Sequence, residues 1–326
     1  MDDPAVILDQ VKGSLNNWGM VVRDITLASQ SENIVYQVTT DTGSRYAFRI
    51  HRPGYHTFQE LLSEHEWTNA LNKAGFSVPS IIPTTNGDFY LPIEVNGGTR
   101  YVELIEWLDG ESLHTMTQKN PSTEFLCASL EELGQLMAAL HEHSRQWQPG
   151  KNFVRHKLDV DGFFGAAPFW GRYWESSFID KTQQQLLLTS QHTLVESLKT
   201  LGYSPNVFGM IHADLHERNV LCNGNGNNMH IIDFDDAGFG WYLYDISVAL
   251  FEYQSRTDFE EISDALLRGY GKVNTLPNEQ RALIPMFIHI RARAIIGWAT
   301  ARPELDNAER IKKLVHYTCQ EASAYL

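Results

Sequence analysis

Cysteine is scarce in this chain of 326 residues, which contains only three. Cys127, Cys222 and Cys319 are widely separated, and no pair has the spacing of a metal-binding or redox motif. This arrangement argues against a disulfide framework and against a cysteine metal site. We expect the three side chains to be reduced thiols, most of them buried.

Long apolar runs are also missing. Apolar runs such as 186–188 and 295–298 fall far short of the roughly 20 residues that a membrane helix needs. The chain begins Met-Asp-Asp-Pro, which has neither the basic nor the apolar region of an export signal. We therefore expect a cytoplasmic protein with no membrane partner. With 43% hydrophobic residues, the chain is long enough for two lobes with a packed core in each.

Positive charge is in short supply. The chain has 26 lysines and arginines against 40 aspartates and glutamates, which gives a formal net charge of −14. Nucleic-acid phosphates repel such a surface, so no nucleic-acid partner is expected. The same charge would steer a cationic substrate towards the protein, although acidic surfaces are also ordinary in cytoplasmic proteins.

Strand signals dominate the first hundred residues. Short β-branched and aromatic runs are separated by turn residues, an order that predicts hairpins and one antiparallel sheet. The five predicted strands are 20–28, 34–40, 46–50, 89–95 and 101–105. One helix is predicted from 57 to 74, with Gly75 as its stop signal.

Helix signals dominate the remainder of the chain. Apolar residues recur at spacings of four and three, which places them on one helix face; they are Leu126, Leu130, Leu133, Met137 and Leu140. Further helices are predicted near 182–201, 259–270 and 279–300.

Together these signals predict an α+β fold with two lobes. We assign residues 1–105 to a small lobe with an antiparallel sheet and one helix. Residues 106–110 form a hinge, and residues 111–326 form a larger helical lobe.

The most informative segment runs from 210 to 236. Its apolar pieces 220–222 and 229–232 flank the turn sequence Asn-Gly-Asn-Gly-Asn-Asn, which predicts a hairpin. Asp214 and Asn219 come before the first strand, and Asp233 follows the second. The two paired strands should therefore bring three oxygen-bearing side chains together.

Phosphoryl transfer requires such a set of side chains. A carboxylate accepts or orients the hydroxyl proton of the acceptor, and hard oxygen ligands hold Mg²⁺ at the nucleotide phosphates. We predict Asp214 as the catalytic carboxylate and Asn219 and Asp233 as metal ligands, with ATP and Mg²⁺ as cofactors.

Two alternatives remain open for this segment. His212, Asp214 and His216 are acceptable zinc ligands at close spacing, although no second cluster would complete the site and Asn219 would be left unexplained. The acidic pair at 233 and 235 is also compatible with a solvated turn.

The segment resembles the catalytic segment of the aminoglycoside phosphotransferase and choline kinase superfamily. That pattern is His-Gly-Asp-x-x-x-x-Asn with a downstream Ile-Asp-Phe or Ile-Asp-Trp, and it matches His212, Asp214, Asn219 and Asp233. Ala213 stands where the family usually has glycine. The resemblance implies a protein-kinase-like fold that moves the γ-phosphate of ATP to a hydroxyl group.

Several shorter matches are similar to the homoserine kinase-like and stress-response-kinase-like branch. They are Glu32-Asn33, Val35-Tyr36, Leu133-Gly134, Leu140-His141 and Asp235-Asp236. In addition, Tyr244-Asp245-Ile246 resembles the segment in which a buried aspartate braces the catalytic loop. The resemblance implies that Asp245 and His212 support the site rather than react.

One departure from the pattern concerns the phosphate anchor. In this fold a strand lysine usually holds the α- and β-phosphates and pairs with a helix glutamate. The matching strand here carries Arg49, and the family's usual helix spacing implies Glu64 as its partner, with Glu60 as second choice. The alternative is that Arg49 is an exposed strand residue paired across the sheet.

A Gly-x-Gly-x-x-Gly loop is also missing. Residues 28–33 occupy its place, so phosphate contacts are expected from Ser29, Ser31 and backbone N–H groups. Adenine is expected against the hinge, where the backbone of Glu106 to Leu108 offers a donor and an acceptor.

The acceptor is the least determined part. Aromatic residues crowd 151–180, and Trp170, Trp174 and Asp235 are candidates for acceptor contact, although core packing explains aromatic density equally well. We predict a small metabolite with a hydroxyl group, such as an amino alcohol or hydroxy amino acid. A protein Ser/Thr kinase and a nucleotide-binding pseudokinase remain the alternatives.

Overall fold

The structure is a computed structural model that describes residues 4–31, 33–223, 227–303 and 307–326. It divides into two compact units. The first contains the chain up to Gly110 together with Gln148–Val154 and His230–Ile232, and the second contains the rest. Glu32 and residues 224–226 of the predicted turn lie outside the described residues.

The first unit is built on an antiparallel sheet. Its strands are β1 (Val22–Gln30), β2 (Ile34–Thr40), β3 (Arg45–Ile50), β4 (Ile81–Ile82), β5 (Leu91–Val95) and β6 (Gly98–Glu106). The order is β1-β2-β3-β6-β4, and β5 also pairs with β6. The predicted antiparallel sheet is therefore confirmed, with the two-residue strand β4 as an addition that the hairpin pattern did not indicate.

A helix that the sequence analysis missed packs against this sheet. Helix α1 (Pro4–Leu15) buries Ile7, Val11 and Leu15, which recur every four residues on one face. The indole Nε1 of Trp18 donates to the carbonyl oxygen of Ile82 at 2.7 Å. These residues share the apolar core of the first unit with the inward side chains of β2, β3 and β6.

Helix α2 (Phe58–Lys73) agrees with the helix predicted at 57–74. Thr57 and Glu60 form a capping box, in which each side chain accepts a hydrogen bond from the other residue's backbone N–H. Gly75 follows the helix in the left-handed conformation, with φ 92°. The face of α2 that buries Leu61 and Leu71 also buries the carboxylate-bearing Glu64.

Two small sheets carry the segments of chemical interest. One has the order β11-β10-β7, from strands β7 (Glu111–Ser112), β10 (Val220–Asn223) and β11 (Asn227–Ile231). The other has the order β8-β12-β9, from strands β8 (Lys157–Leu158), β9 (Phe208–Ile211) and β12 (Gly238–Trp241). Residues 212–219 join β9 to β10, and residues 232–237 join β11 to β12.

Helices make up most of the second unit. They are α3 (Leu113–Lys119), α4 (Thr123–Gln146), α5 (Val160–Phe164), α6 (Lys181–Leu201), α7 (Tyr242–Phe251), α8 (Phe259–Gly271), α9 (Asn278–Arg281), α10 (Ile284–Thr300) and α11 (Ala308–Ala322). The helix predicted at 279–300 is in fact two, because the chain breaks before Pro285, which has no N–H to continue a helix. Helices α3, α5, α7 and α11 were not predicted.

The stretch Asn278–Thr300 is long and apolar enough to cross a membrane by length and composition alone. Within the structure, 61% of an apolar 18-residue part of this stretch is buried, as expected for a core helix of a folded protein. Of the three thiols, only that of Cys222 is buried, so the expectation that most are buried was wrong.

Helices α4 and α8 approach each other closely at two glycines. A Cβ atom on Gly134 would lie 2.0 Å from the carbonyl oxygen of Leu266, and one on Gly269 would lie 1.8 Å from that of Glu131. Both distances are far below van der Waals contact with backbone atoms that cannot rotate away. The glycines therefore set the spacing of the two helices.

We predict that Gly134→Ala destabilises the protein, because the added methyl group forces α4 and α8 apart. Overpacking of this kind costs about 1–3 kcal/mol. Gly271→Ala is the matched control, since a Cβ there meets nothing within 4 Å. Urea denaturation should show a lower midpoint for the first variant only; equal midpoints would contradict the close approach.

Candidate active site

The loop between β9 and β10 brings Asp214 and Asn219 together. The Asn219 amide Nδ2 donates to the Asp214 backbone oxygen at 2.9 Å and to its carboxylate Oδ2 at 3.1 Å. The amide oxygen of Asn219 consequently points away from Asp214. The imidazole Nε2 of His216 lies 3.3 Å from the same carboxylate oxygen.

Asp245 on α7 holds the beginning of this loop. Its carboxylate accepts hydrogen bonds from the backbone N–H of His212 at 3.0 Å and of Ala213 at 2.7 Å. Nε2 of His141, on α4, lies 3.1 Å from the same carboxylate, and Nδ1 of His141 lies 2.9 Å from the hydroxyl of Tyr270 on α8. Both Asp245 and His141 are fully buried, so α4, α7 and α8 together fix the loop.

The backbone at Ala213 is left-handed, with φ 66°. That conformation costs a residue with a Cβ roughly 1–2 kcal/mol, which explains why glycine is the usual residue at this position of the motif. Alanine for glycine is therefore not a neutral exchange here. The bond from Ala213 N–H to Asp245 helps to keep the strained conformation.

Glu217 ties the middle of the loop to neighbouring helices. Its carboxylate accepts from the hydroxyl of Tyr253 at 2.6 Å and from that of Thr117 at 3.3 Å, and it contacts the imidazole of His114. The Glu217 carbonyl also accepts from the backbone N–H of His114 at 2.9 Å. Helix α3 thus helps to hold the loop that carries Asn219.

Arg291 is a residue of the site that the sequence analysis missed. It lies on α10, and its guanidinium Nη2 forms an ion pair with Asp214 Oδ1. Nη1 lies 3.4 Å from the Tyr244 hydroxyl, and the guanidinium carbon lies 6.0 Å from the centre of the Trp170 ring. A usable signal was present, because α10 is mostly apolar and Arg291 and Arg293 are its only arginines.

These neighbours determine the charge on Asp214. Burial alone would raise the pKa of its carboxyl, but His216 and Arg291 outweigh burial and hold that pKa well below its usual range. For His216, burial alone would lower the pKa of the imidazole, but the negative charge of Asp214 outweighs burial and raises that pKa above its usual value. Asp214 is therefore a carboxylate at neutral pH, able to accept a hydrogen bond from a hydroxyl group.

The turn after β11 carries the acidic residues of the motif. Asp233 is exposed and left-handed, with φ 66°, and the ring of Phe234 packs on His212 at 4.7 Å between centroids. Arg155 donates to the backbone oxygens of Phe234 at 3.3 Å, Asp235 at 2.5 Å and Ala237 at 2.6 Å. This second unpredicted arginine fixes the turn, and Phe234 keeps it beside the loop between β9 and β10.

The three acceptor candidates are placed differently. Trp170 is buried, stacks on Tyr244 at 5.7 Å and lies beside Arg291. Trp174 packs edge-on against Tyr173 at 5.0 Å, and among the described residues neither a hydrogen bond nor a ring interaction joins it to Arg291. Asp235 is buried in the turn that Arg155 holds.

In the first unit, Arg49 is buried rather than exposed. Its Nη2 pairs with Glu64 of α2, and its Nε pairs with Glu103, the residue opposite it on β6. Glu60 instead caps α2, with its carboxylate 2.7 Å from the Thr57 backbone nitrogen. The cross-strand pairing named in the alternative is therefore present, although the sequence had not indicated Glu103 as the partner.

Glu103 remains ionised despite its burial. Burial raises the pKa of its carboxyl, whereas the Arg49 charge and the His51 imidazole, 3.3 Å away, lower that pKa to about 2. The buried group thus contains two carboxylates and one guanidinium.

The predicted nucleotide loop is shorter than expected. Strand β1 continues to Gln30 and β2 begins at Ile34, so Ser29 belongs to a strand and not to a loop. The exposed Ser31 donates its backbone N–H to the carbonyl of Asn33 at 3.0 Å. In the predicted hinge, the N–H of Glu106 donates to the carbonyl of Ser80 at 2.8 Å, and Leu108 lies beyond the end of β6.

Comparison with known proteins defines the class of this molecule. A solved microcompartment-associated aminopropanol kinase is 27% identical to this chain, with a TM-score of 0.86 and coverage of 98% of this chain and 97% of the other. The amicoumacin kinase of Bacillus subtilis (strain 168) is 25% identical, covering 86% of this chain and 81% of its own. The homoserine kinase of Methylobacillus flagellatus is 26% identical, covering 82% and 75%.

A solved amicoumacin kinase, in complex with AMP-PNP, Ca²⁺ and its ligand Ami, shares the fold at a TM-score of 0.76 and 22% identity, over 98% of this chain and 94% of its own. The protein is a phosphotransferase of protein-kinase-like fold that acts on hydroxyl groups of small molecules. Residues 25–283 match the model of the phosphotransferase enzyme family (APH), and the chain belongs to that family. The predicted superfamily and fold class are confirmed.

We predict that Asp245→Asn weakens both folding and activity. An amide group offers one oxygen and must direct N–H towards a backbone N–H of the loop, which loses a charge-assisted hydrogen bond worth about 1.5–3 kcal/mol. Asp264→Asn is the control, because Asp264 is exposed on α8. Urea midpoints and ADP release should fall for Asp245→Asn alone; a variant indistinguishable from the control would rule out the bracing role.

Proposed function

We propose that the protein transfers the γ-phosphoryl group of ATP to the hydroxyl of a small metabolite that carries an amino group, in particular an amino alcohol. The observation that carries the proposal is the pairing of an ionised Asp214 with the oriented amide of Asn219. The similarity to an aminopropanol kinase over 98% of the chain supports the acceptor class.

In this proposal Asp214 is the catalytic residue. Its carboxylate accepts the hydrogen of the acceptor hydroxyl, which orients the oxygen for attack and takes up the proton as the phosphoryl group is transferred. Arg291 and His216 hold the carboxylate from both sides, so its position is set before the acceptor binds. His212 and Asp245 support the loop without reacting.

The residues present suit a hard divalent cation such as Mg²⁺. Asn219 directs an amide oxygen away from Asp214, and Asp233 offers an exposed carboxylate at the end of a fixed turn. Oxygen donors of this kind are what Mg²⁺ prefers, together with water and phosphate oxygens. Asn219 and Asp233 would hold the ion, and the charge it supplies would offset that of the nucleotide phosphates.

The first unit supplies the nucleotide contacts in this proposal. Arg49, held by Glu64, binds the phosphates in place of the usual lysine, and Ser31 offers a further donor in the turn after β1. Adenine binds the backbone of the 106–110 segment. Because the Glu106 N–H is already bonded to Ser80, we assign the donor to Leu108 and the acceptor to Glu106. The assignment of 1–105 to nucleotide binding and of 111–326 to catalysis follows from these roles.

A cationic acceptor suits the charges of the second unit. The turn after β11 carries three carboxylates, from Asp233, Asp235 and Asp236, whereas Arg291 is already paired with Asp214. An ammonium group is therefore favoured over an additional carboxylate. Trp170, beside Arg291, is the better placed of the two tryptophans for acceptor contact, and Trp174 is the weaker candidate.

ADP release tests the proposal directly. Purified protein with ATP and Mg²⁺ should release ADP with amino alcohols, and less with hydroxy amino acids. A generic protein substrate tests for a protein Ser/Thr kinase in the same assay. No release with any acceptor, together with intact ATP binding, would identify a pseudokinase.

We predict that Asp214→Asn abolishes transfer but retains nucleotide binding. General-base assistance contributes about 10²–10⁴-fold to rate, so turnover should fall by at least 10²-fold. Isothermal titration with ATP should give an affinity close to that of wild type. Turnover near the wild-type value would show that Asp214 is not the catalytic carboxylate.

We predict that Asp233→Asn weakens Mg²⁺-dependent nucleotide binding, because it removes the charged metal ligand. Asparagine tolerates the left-handed backbone at this position, so the comparison isolates charge. Asp236→Asn, in the same turn, should have a milder effect. Titrations of ATP with and without Mg²⁺ compare the two variants, and equal, small effects would favour the solvated turn.

A further inference from the structure

Arg49 is held by two buried carboxylates that come from different elements. Glu64 reaches Nη2 from α2, and Glu103 reaches Nε from the neighbouring strand β6. Arg49, Glu64 and Glu103 are 7%, 4% and 2% exposed, so water screens these charges little. A kinase-like anchor requires only the helix glutamate, which leaves Glu103 without an assigned task.

The identity of the cation decides whether such a group can also bind phosphate. Guanidinium spreads its charge over a plane and offers five N–H donors that point in different directions. One edge can hold Glu103 and another Glu64, while the same plane serves a third anion. A lysine ammonium concentrates its charge and its three donors at one point. Two flanking carboxylates would hold that ammonium group at the sheet and away from a bound phosphate.

The register of the sheet fixes Glu103 in this role. Glu103 lies directly opposite Arg49 on β6, and strand pairing continues on both sides through Phe48 with Leu104 and Ile50 with Val102. The Nε edge of Arg49 is therefore held by the sheet itself, whatever the position of α2. The phosphate-binding edge gains a fixed orientation from a partner that cannot shift without the strand.

We propose that Glu103 is a positioning residue for Arg49, and that the pair together replaces the usual strand lysine. Arginine is then required at position 49 because Glu103 stands opposite it, and lysine becomes acceptable only when Glu103 is neutral. This inference rests on the proposed function, since it takes Arg49 as the phosphate anchor.

A double-mutant cycle tests this coupling. Arg49→Lys is made in the wild-type chain and in the Glu103→Gln chain, and each protein is tested for ATP affinity by calorimetry and for ADP release with varied ATP and acceptor. Glutamine keeps the size of Glu103, which protects folding. Glu94→Gln is the matched control, because Glu94 lies exposed on β5 and accepts a hydrogen bond from Thr99.

In the wild-type chain, Arg49→Lys should weaken ATP binding roughly tenfold to a hundredfold, the value of a charge-assisted hydrogen bond. In the Glu103→Gln chain, Arg49→Lys should weaken ATP affinity by less than about threefold. The losses should lie in the KM for ATP, with the KM for the acceptor unchanged. A merely structural ion pair would lower the urea midpoint without separating the two KM values.

Equal costs of Arg49→Lys in both chains, within about twofold, would overturn the role of Glu103 while leaving Arg49 as the anchor. A further variant, Arg49→Ala with Glu103→Gln, tests the anchor without leaving Glu103 as an unpaired buried charge. Wild-type ATP affinity in that variant would refute the phosphate role of Arg49, and the inference with it. We expect the variant with Arg49→Ala and Glu103→Gln to lose ATP affinity. We also expect Glu103→Gln to restore most of the ATP affinity that Arg49→Lys loses in the wild-type chain.

Discussion

The carboxylate of Asp245 is the interaction on which the catalytic loop depends. It accepts from two consecutive backbone N–H groups, of His212 and Ala213, and the second of these belongs to a left-handed residue. Without a fixed acceptor at this point, the backbone would relax towards a common conformation and Asp214 would turn with it. His141 and Tyr270 continue the same network into α4 and α8, so a chain of buried polar groups reaches from the helical core to the loop.

Two arginines also fix parts of the second unit. Arg155 organises the turn after β11 through three carbonyl oxygens, and Arg291 fixes the Asp214 carboxylate. Guanidinium suits both tasks, because it is permanently charged and presents several donors in one plane. The acidic side chains that phosphoryl transfer requires would repel one another, and these cations make it possible to hold them in fixed turns.

The sequence predicted features that depend on neighbours along the chain. Alternating apolar residues and turn signals revealed the hairpins of the sheet, and the spacing from Asp214 to Asn219 revealed the loop that brings them together. No spacing along the chain pairs a residue with a partner so distant: Arg291 lies 77 residues from Asp214, Arg155 lies 80 from Asp235, and Glu103 lies 54 from Arg49. The left-handed backbone of Ala213 was missed for another reason. Alanine and glycine are both small, but only glycine adopts a positive φ without strain.

Evolution of the catalytic loop is constrained from a distance by the crossing of α4 and α8. Gly134 and Gly269 let the two backbones touch, and His141 and Tyr270 lie on the same pair of helices. A larger residue at either glycine would separate the helix axes and carry the imidazole away from Asp245. The two glycines and the polar network should therefore change together in evolution. A larger residue at either glycine becomes tolerable only when His141 or Tyr270 is also replaced by a residue that keeps the network in contact with Asp245 from the new helix position.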